Sequence, residues 1–448
     1  MLSVHLRRRF QTLVRHDLSE ALRTQFGVVK PNSMQREAIT AATKGTDLLL
    51  VSQTGSGKTF CFLLPLLEHL ASRSHSIGIV LAPSRELAMQ HTMVAKALAS
   101  SMSDGPAVEL LSPKPLSSAA QLLIAQPEHA YQWLHSGAIN ASLVSTVVID
   151  EVDAILCSEQ FDSTLSAMGE ALLTHLEPAD RTSPPPRYLL TTAHLSPAHE
   201  AALSQHFPSA SRVQQGSEAG HRPGTLVPSL KQVFHYTGRS KDAKLLSVLR
   251  RSDADEWLRG GAALIFCADG ATAERLRDLV AEVADHEAPP PPPTHPSEDR
   301  VPLPPACAGA PPPEGRGRRA PLVLHEGMPD VAREAVIATL QRRAGCLDQD
   351  DIEAGGAEGM PPLLIATGVV ARGLDVPSLR HVILFDMPTD VAGFVHCAGR
   401  TARRGRPGLV SCLVESQSQA SRFRELHALT RAPKLQFEAQ ALARDDPT

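Results

Sequence analysis

Eight residues in the first part of the chain have the composition and spacing of a phosphate-binding loop. Residues 52–59 read SQTGSGKT and differ from the pattern G-x4-G-K-[ST] only at the first position, where serine replaces glycine. Gly55 and Gly57 let backbone N–H groups wrap a phosphate, and the helix expected after the loop adds the positive end of its dipole. Lys58 could reach the β- and γ-phosphates, and the hydroxyl of Thr59 could bind Mg²⁺. The run predicts a nucleotide site.

Two acidic residues follow a later apolar run. Asp150 and Glu151 come directly after TVVI at residues 146–149, which is typical of a buried strand. An acid at the carboxyl end of a strand beside a phosphate loop can hold the magnesium shell, and the next carboxylate can orient or deprotonate water. The alternative is a pair of acids at a helix amino terminus, worth roughly a few tenths of a kcal/mol. Beside the phosphate loop, the pair favours the first interpretation.

Two arginines near the carboxyl end could complete such a site. Arg400 and Arg403 lie three residues apart in the run 396–405, so we expect them on one helix face, one turn apart. Two guanidinium groups on one face can clamp a phosphoryl group that is being transferred. The alternative is a solvated basic face, which is the more common place for an arginine pair.

Apolar runs alternate with helical stretches in both halves of the chain. We expect strands at residues 47–51, 77–82, 146–149 and 188–191, and again at 263–267, 322–325, 363–367, 382–385 and 409–414. Continuous apolar strands separated by helices are typical of parallel sheets covered on both faces. The sequence therefore predicts an α/β protein with two tandem, doubly wound parallel-sheet domains.

The domain boundary is expected in the polar stretch 214–228, which contains several glycines and prolines. The expected parts, in chain order, are a first domain 1–222, a second domain 223–416 and a carboxyl-terminal tail 417–448. Two insertions interrupt the second domain, a Pro-rich one at 285–320 and one rich in Asp, Glu, Gly and Ala at 345–362.

The composition limits the class of protein. The 448 residues include 44 Lys plus Arg and 48 Asp plus Glu, so the net charge is −4. A basic coat over the whole chain is excluded, and a nucleic-acid site has to be local. Seven cysteines without a CxxC pair argue against a disulfide framework and favour a reducing compartment. Because no apolar run approaches the roughly 20 residues of a membrane span, we expect a soluble intracellular protein.

The amino terminus has two interpretations. Arg7, Arg8, Arg9 and Arg15 precede the first acid, Asp17, a bias also found in organellar transit peptides. The favoured interpretation is a first helix with a basic face, in a nuclear or cytoplasmic protein. A mitochondrial or plastid location is the alternative.

Taken in chain order, the segments resemble those of the DEAD-box ATP-dependent RNA helicases of helicase superfamily two. The resemblance runs from Phe10 to about Val414. It is carried by a Q motif at about 8–36, motif I at 52–59, motif Ia at 83–88 (PSRELA), motif II at 150–153 (DEVD), motif V at 366–375 (ATGVVARGLD) and motif VI at 396–403 (HCAGRTAR). It implies two RecA-like domains that close over ATP, Mg²⁺ and RNA.

The resemblance also implies roles for individual residues. The catalytic set is Glu151, Asp150, Lys58, Arg400 and Arg403. The ATP-binding set is Phe10, Gln35, Ser52, Gln53, Thr54, Gly55, Ser56, Gly57, Lys58, Thr59, Gly373 and Asp375. Mg²⁺ would be held by Thr59 and, partly through water, by Asp150. The RNA backbone would be contacted, without base reading, by Pro83, Ser84, Arg85, Arg333 and Thr367. Hydrolysis would be coupled to strand separation through Asp153, Thr192, His194 and His396.

Several positions depart from the family pattern. Thr192-Ala193-His194 replaces Ser-Ala-Thr, and QPEH at residues 126–129 replaces Thr-Pro-Gly-Arg. Cys397 replaces the first arginine of motif VI, and Gly368 replaces an aspartate of motif V. None of these changes removes the hydrolytic set. Several weaken the grip on RNA, because a lost charged contact costs on the order of 1–3 kcal/mol.

The implied activity is an RNA-dependent ATPase that couples hydrolysis to local duplex unwinding or to remodelling of RNA–protein complexes, acting as a monomer. The departures leave open an alternative, an ATP-gated RNA clamp or scaffold with weak or no unwinding. A kinase or GTPase built on the same loop is disfavoured, because the chain has no base-reading Asn-Lys-x-Asp run.

Overall fold

The computed structural model of the chain describes the following residues: 13–53, 55–73, 75–111, 117, 119–156, 174, 185–193, 195, 197–214, 229–238, 240–254, 261–286, 321–345, 363–368, 379–388, 391–403, 406–415 and 435–438. Within these ranges, no helix combines the length and the apolar character that crossing a membrane requires.

The first half of the chain builds a seven-stranded sheet in which every pair is parallel. Its strands are β1 (Leu48–Val51), β2 (Ile77–Leu81), β3 (Ala107–Leu110), β4 (Ala120–Ala125), β5 (Val144–Ile149), β6 (Arg187–Thr192) and β7 (Ser211–Gln214). Their order is β3-β4-β2-β5-β6-β1-β7. The strand order reverses beside β1, and the carboxyl end of a strand at such a switch is where open α/β sheets bind ligands.

The second half repeats this architecture. Its strands are β8 (Leu230–Tyr236), β9 (Ala262–Cys267), β10 (Leu322–Leu324), β11 (Leu363–Thr367), β12 (Leu379–Leu384), β13 (Gly408–Val414) and β14 (Leu435–Glu438). They form a second all-parallel sheet in the order β10-β11-β9-β12-β13-β8-β14. The predicted pair of parallel α/β domains is confirmed.

Helices connect the strands and cover both sheets. The described helices are His16–Phe26, Ser33–Thr43, Lys58–Ala71, Arg85–Ala99, Pro127–His135, Val152–Leu156, Pro197–His206, Lys241–Ala254, Gly270–His286, Asp330–Gly345 and Val391–Ala398, with a 3₁₀ turn at Ala141–Leu143. A crossover helix between parallel strands has to pack on a sheet face, which explains why both faces are buried.

Side chains of β1 show how each strand contributes to two cores. Leu48 and Leu50 pack into one apolar cluster, whereas Leu49 and Val51 pack into the cluster on the opposite face. Successive strand residues point to opposite faces, so an uninterrupted apolar run is what a doubly covered strand requires. The run suits β1, which lies between β6 and the edge strand β7 and is covered on both faces, and this position fixes the loop that follows it.

The structure also contains strands that were not expected from the sequence. Strands β3, β4, β7, β8 and β14 were not among the strands expected from the sequence. Because β14 pairs with β8, the second sheet extends past residue 416, where the sequence placed the start of a tail. The boundary expected at residue 222 and the insertion at 285–320 fall mainly outside the described residues, as does the insertion at 345–362.

Candidate active site

The phosphate loop begins where β1 ends. Ser52 is fully buried, and its hydroxyl lies 2.8 Å from the hydroxyl of Ser56, so the serine that replaces glycine joins the two sides of the loop. Gly55 and Gly57 have φ values of 75° and 85°, in the left-handed region that favours glycine. Lys58 Nζ donates to the carbonyl of Ser52 at 2.9 Å. The loop is therefore preformed, with its ammonium group directed into the loop.

Gln35 lies against this loop. Asn32 caps the helix Ser33–Thr43, and Gln35 Oε1 accepts in return from the backbone N–H of Asn32 at 3.0 Å. Gln35 Nε2 donates to the carbonyl of Gly57 at 3.3 Å. A Cβ atom added at Gly57 would collide with Gln35 Nε2, so a side chain there would displace the Gln35 amide from the loop. The structure thus brings Gln35 to the start of the predicted nucleotide site.

The acidic pair follows β5 on the same edge of the sheet. Thr191 donates its hydroxyl to Asp150 Oδ1, and the backbone N–H of Glu151 reaches the same oxygen at 3.0 Å. His91 Nε2 lies 2.8 Å from Asp150 Oδ2. Burial alone would raise the pKa of Asp150, but the contacts with His91, Lys58 and Thr191 lower it below its usual value. The carboxylate is therefore held ionised and fixed in orientation.

Glu151 has a strained backbone and an unused oxygen. Its φ is 50°, which non-glycine residues seldom adopt and which is concentrated at functional sites. Its side chain is buried, and among the described residues Oε2 has no hydrogen-bond partner. A buried carboxylate oxygen without a partner costs free energy unless a ligand or water completes it. Glu151 is thus suited to accept a proton from, or to orient, a water molecule.

Both motif VI arginines reach the first domain. Arg400 Nη2 lies 3.7 Å from Glu151 Oε1, and Arg400 is 2% exposed. A Cβ atom added at Gly55 would lie 2.9 Å from Arg403 Cγ, so the Arg403 side chain covers the phosphate loop. The two guanidinium groups therefore belong to the cleft that contains Lys58.

The prediction that Arg400 and Arg403 lie on one helix face is wrong. The helix Val391–Ala398 ends before Arg400, and the chain continues through a turn in which Ala402 has a φ of 57°. Gly408 packs against Ala402 with no room for a Cβ atom, so this turn is held against the start of β13. Arg400 Nε donates to the carbonyl of His396 at 2.8 Å, and Arg403 Nε donates to that of Gly399 at 2.9 Å. Backbone carbonyls at the helix end therefore orient the guanidinium groups.

The charges in the cleft act on Lys58. Burial is the largest influence and lowers the pKa of Lys58, whereas Asp150, Glu151 and Asp153 raise it. Arg400 lowers the pKa of Lys58 further, because like charges repel. A polyanion that entered the cleft would reverse this balance and stabilise the ammonium ion.

The oxygen donors at this point fit Mg²⁺. Thr59 lies in the first turn of the helix Lys58–Ala71, and Asp150 ends β5 on the same sheet edge. Hydroxyl and carboxylate oxygens are ligands that Mg²⁺ prefers, and it keeps several water molecules beside substrate phosphates. The partnerless Glu151 Oε2 is consistent with a hydrated ion close by. Among the described residues, no cluster of three or more His, Cys, Asp or Glu side chains suggests a different metal site.

A chain of hydrogen bonds joins the two domains beneath the cleft. Thr192 donates its hydroxyl to Asp153 Oδ1 at 2.7 Å, and His396 Nε2 lies 3.2 Å from Asp153 Oδ2. Burial opposes ionisation of Asp153, but the contacts with His396 and Thr192 hold the pKa of Asp153 well below its usual range. His396 Nδ1 is also 3.7 Å from Glu151 Oε1. Three of the predicted coupling residues are thus in contact.

The predicted RNA-binding cations, Arg85 and Arg333, are paired with acids of the chain itself. Arg85 Nη2 donates to Glu334 Oε1 at 2.7 Å, and Arg85 Nη1 lies 3.5 Å from Asp330. Arg333 contacts Asp330 at 2.5 Å and Glu86 at 3.3 Å. Burial raises the pKa of Glu86, although Arg333 and Arg85 oppose this. The pairs of Arg85 and the pair of Arg333 with Glu86 cross between the domains. The pair of Arg333 with Asp330 lies within one helix.

The hydroxyl predicted to contact RNA is also occupied. Thr367 Oγ1 donates to Glu326 Oε2 at 2.5 Å. Ser84 caps the helix Arg85–Ala99 by accepting from the N–H of Leu87 at 3.3 Å, and Pro83 precedes it. The structure therefore groups Arg85, Arg333 and Thr367 with acids that the sequence did not identify as part of the site.

Some predicted residues fall outside the described part of the chain, namely Phe10, Thr54, His194, Gly373 and Asp375. Conversely, sequence reasoning assigned no role to His91, Glu326, Asp330 and Glu334. His91 carries no motif signal. Asp330 and Glu334 lie one helical turn apart around Arg333, which was the available signal.

Two parallel α/β domains, a phosphate loop in the first and guanidinium groups from the second define a class of protein, the two-domain P-loop proteins of helicase type. Family models agree with this. The DEAD/DEAH box helicase model matches residues 32–201, and the helicase conserved C-terminal domain model matches residues 321–405. The chain belongs to the DEAD/DEAH box helicases, which confirms the resemblance seen in the sequence.

Curated relatives are similar over most of the chain. The ATP-dependent RNA helicase dbp8 of Aspergillus terreus is 27% identical over 414 residues, covering 87% of this chain and 67% of the relative. The probable ATP-dependent RNA helicase YfmL of Bacillus subtilis is 27% identical over 403 residues, covering 87% and 86%. In the dbp8 of Aspergillus niger, as in that of A. fumigatus, the chain spans 65% of the relative's length.

Solved structures share the fold. S. cerevisiae Dbp5 bound to RNA and ADP BeF3 has a TM-score of 0.71 at 21% identity, covering 96% of this chain and 95% of that one. Mss116p bound to ssRNA and AMP-PNP has a TM-score of 0.71 at 16% identity, covering 98% and 78%. These likenesses confirm the tandem RecA-like architecture expected from the sequence.

Proposed function

We propose that the chain is an ATP-dependent RNA helicase, which binds RNA through its backbone and couples ATP hydrolysis to local duplex unwinding or to remodelling of RNA–protein complexes. The observation that carries this proposal is the approach of Arg400 of the second domain to 3.7 Å from Glu151 of the first. Relatives named as ATP-dependent RNA helicases, such as dbp8 and YfmL, support it.

The cleft residues can perform hydrolysis. Lys58 and the loop N–H groups hold the triphosphate, and a Mg²⁺ ion held by Thr59 and Asp150 would neutralise phosphate charge. The oxygen of a water molecule attacks the γ-phosphorus while the bond to the β-phosphate oxygen breaks and ADP leaves. Glu151 accepts the proton of that water. Arg400 and Arg403 stabilise the charge that develops on the transferred group.

RNA is coupled to this reaction through closure of the two domains. The catalytic set is divided, because Lys58 and Glu151 belong to one domain and Arg400 to the other. The contact of Asp153 with His396 forms only when the domains meet, whereas its contact with Thr192 lies within the first domain. An RNA strand that bound Arg85 of one domain and Arg333 of the other would favour the closed arrangement and thereby accelerate hydrolysis.

An ATPase titration of the full chain with RNA, with DNA and without polymer tests the proposal. We expect turnover to rise strongly with RNA and to be lost in Lys58→Ala and Glu151→Gln. Lys96→Ala is the matched control, because Lys96 is exposed on the outer part of the helix Arg85–Ala99. Equal turnover with and without RNA would reject the proposal.

A clamp or scaffold without unwinding is the second candidate. The ion pairs of Arg85 and Arg333 with acids of the chain are the observation in its favour, because they compete with RNA phosphates. The relatives are named helicases, so we place unwinding first. A strand-displacement assay on a short duplex separates the two: a clamp would hydrolyse ATP and retain RNA without releasing the second strand.

We further propose that domains 1–222 and 223–416 of a single chain suffice, so that the protein acts as a monomer without a membrane partner. The cleft supports this, since both arginines come from the same chain as the phosphate loop. We place the protein in the nucleus or cytoplasm, with an organelle as the alternative. Imaging a fluorescent fusion with and without residues 1–9 tests the location.

A further inference from the structure

His91 is a buried histidine that the proposed reaction does not use. It belongs to the helix Arg85–Ala99, is 2% exposed, and lies 2.8 Å through Nε2 from Asp150 Oδ2. A buried imidazole has to be hydrogen-bonded to offset the cost of its desolvation. The partner here is the carboxylate that we assign to Mg²⁺.

The two oxygens of Asp150 are held from different sides. Thr191 and the N–H of Glu151 both donate to Oδ1, whereas His91 contacts Oδ2. With Oδ1 alone fixed, the carboxylate could rotate about its Cβ–Cγ bond. The imidazole therefore fixes the plane of the carboxyl group.

The imidazole is itself fixed by the element that carries the other metal donor. The rings of His91 and Phe62 meet edge to face, with centroids 5.4 Å apart and planes at 90°. Phe62 lies three residues after Thr59 in the helix Lys58–Ala71, less than one turn away. His91 is thus wedged between the helix of Thr59 and the strand end of Asp150, and it sets their relative position.

We propose that His91 is a positioning residue for the Mg²⁺-binding carboxylate, so that it determines how tightly the divalent cation binds together with the nucleotide. The inference deepens the proposed function and rests on its assignment of Asp150 to Mg²⁺. Groups that hydrogen-bond to a metal ligand orient it, and their loss commonly weakens metal binding 10–100-fold. Because an ionised carboxylate can only accept hydrogen bonds, the imidazole donates from Nε2 to Asp150.

Three substitutions separate positioning from simple packing. His91→Leu keeps the volume but removes the donor. In His91→Gln the amide nitrogen can occupy the position of Nε2, whereas the shorter His91→Asn stops before Oδ2. His75→Leu is the matched control, because His75 is exposed in the loop before β2. A packing role would rank the variants by volume, and a positioning role ranks them by donor reach.

The readout is binding of a fluorescent ADP analogue to the full chain, measured with EDTA and over a Mg²⁺ titration. We expect His91→Leu and His91→Asn to raise the Mg²⁺ concentration at half-saturation by about 10–100-fold, with affinity in EDTA within about twofold of the wild type. His91→Gln should restore most of the Mg²⁺ effect. In the ATPase assay, kcat of the Leu and Asn variants should recover at saturating Mg²⁺.

An unchanged Mg²⁺ midpoint in both the Leu and the Asn variant would overturn the proposal, as would equal losses in all three variants and in EDTA. If His91→Leu does not fold, the contrast between Asn and Gln decides alone. The binding titration requires neither RNA nor hydrolysis. Its outcome is therefore independent of the RNA-stimulation test, and the two proposals can fail separately.

Discussion

The nucleotide face and the RNA face of the molecule are built differently. At the nucleotide face, the loop torsions at Gly55 and Gly57, the strand end at Asp150 and the carbonyls behind Arg400 direct reactive atoms into one cleft. At the RNA face, by contrast, the predicted contact groups already have partners within the chain. Arg85 and Arg333 form ion pairs with Glu334, Asp330 and Glu86. Thr367 donates a hydrogen bond to Glu326.

The difference follows from what each face uses. Backbone geometry and strand ends are fixed by the buried sheet, so the nucleotide face is organised before a ligand arrives. Side chains at the RNA face pair with nearby groups, which in this chain are carboxylates. If these groups contact RNA as we propose, binding would be an exchange in which phosphates replace carboxylates at the guanidinium groups. The net gain in free energy would then be smaller than for unpaired cations.

The largest effect that tests this comparison is expected at Arg400. Arg400→Ala should lower RNA-stimulated kcat by about 10³-fold, because guanidinium groups of this type contribute roughly 10³–10⁵ to phosphoryl transfer. RNA affinity measured by fluorescence anisotropy should change little. The control is Arg406→Ala, an exposed arginine of the same segment. A parallel loss of RNA affinity would contradict the separation of the two faces.

A somewhat smaller effect is expected in the phosphate loop. Gly57→Ala adds a Cβ atom against Gln35 Nε2 at a φ of 85°, so nucleotide affinity should fall by about 10²-fold. Gly27→Ala is the matched control, since Gly27 has a φ of 65° but nothing within 4 Å of an added Cβ atom. Calorimetry with ADP measures both. Similar losses in the two variants would mean that backbone strain, and not the contact with Gln35, is responsible.

Acidic pH should destabilise the second sheet. This effect is not expected to distinguish the nucleotide face from the RNA face. His381 Nε2 lies 2.8 Å from the Ser411 hydroxyl, which also contacts His235 at 3.2 Å. Burial, followed by the repulsion of His235, lowers the pKa of His381 to about 3. Because the folded pKa lies below the unfolded value, this stabilisation is complete above about pH 6.5 and is lost as the pH falls towards 3. At pH 5 the loss is about 2 kcal/mol.

Hydrogen exchange of peptides from β12 and β13 measures this loss, with peptides from β5 and β6 as the internal control. Protection, corrected for intrinsic rates, should fall between pH 7.5 and pH 5 in the second sheet more than in the first. In His381→Val the difference should largely disappear. A pH effect that persists in this variant would assign it to other groups.

The smallest effect is expected at the RNA face itself. Glu326→Gly frees the hydroxyl of Thr367, and Asp330→Gln removes an acid from both Arg85 and Arg333. Each change should raise RNA affinity by about fivefold, since partly exposed ion pairs contribute on the order of 1 kcal/mol or less. Glu282→Gln on an exposed helix surface is the control. Weaker RNA binding in either variant would mean that these acids assist RNA recognition.

The nucleotide face could be predicted from the sequence more fully than the RNA face. The nucleotide face was predictable because its loop and acid pair are runs of adjacent residues whose backbone does most of the positioning. The pairing of Arg85 with Glu334 was not, because 249 positions separate them and only the fold brings them together. His91 was missed for the same reason. It lies in a helix with no motif signal of its own, and its partner belongs to β5.

Other misses concern local geometry. The spacing of Arg400 and Arg403 suggested a helix, whereas the helix ends at Ala398 and the following turn packs closely against Gly408. Strand β8 contains Gln232 and His235, both buried, so its run is not continuously apolar. Tertiary packing decided these positions, and a pattern of single residues does not contain that information.

The side chain of Arg403 over Gly55 has one more consequence. A nucleotide bound on the loop would be covered by the second domain and could not dissociate while the two domains remain in contact. Release of ADP would then require the two domains to separate. The duration of each catalytic cycle would be set by the lifetime of the closed state.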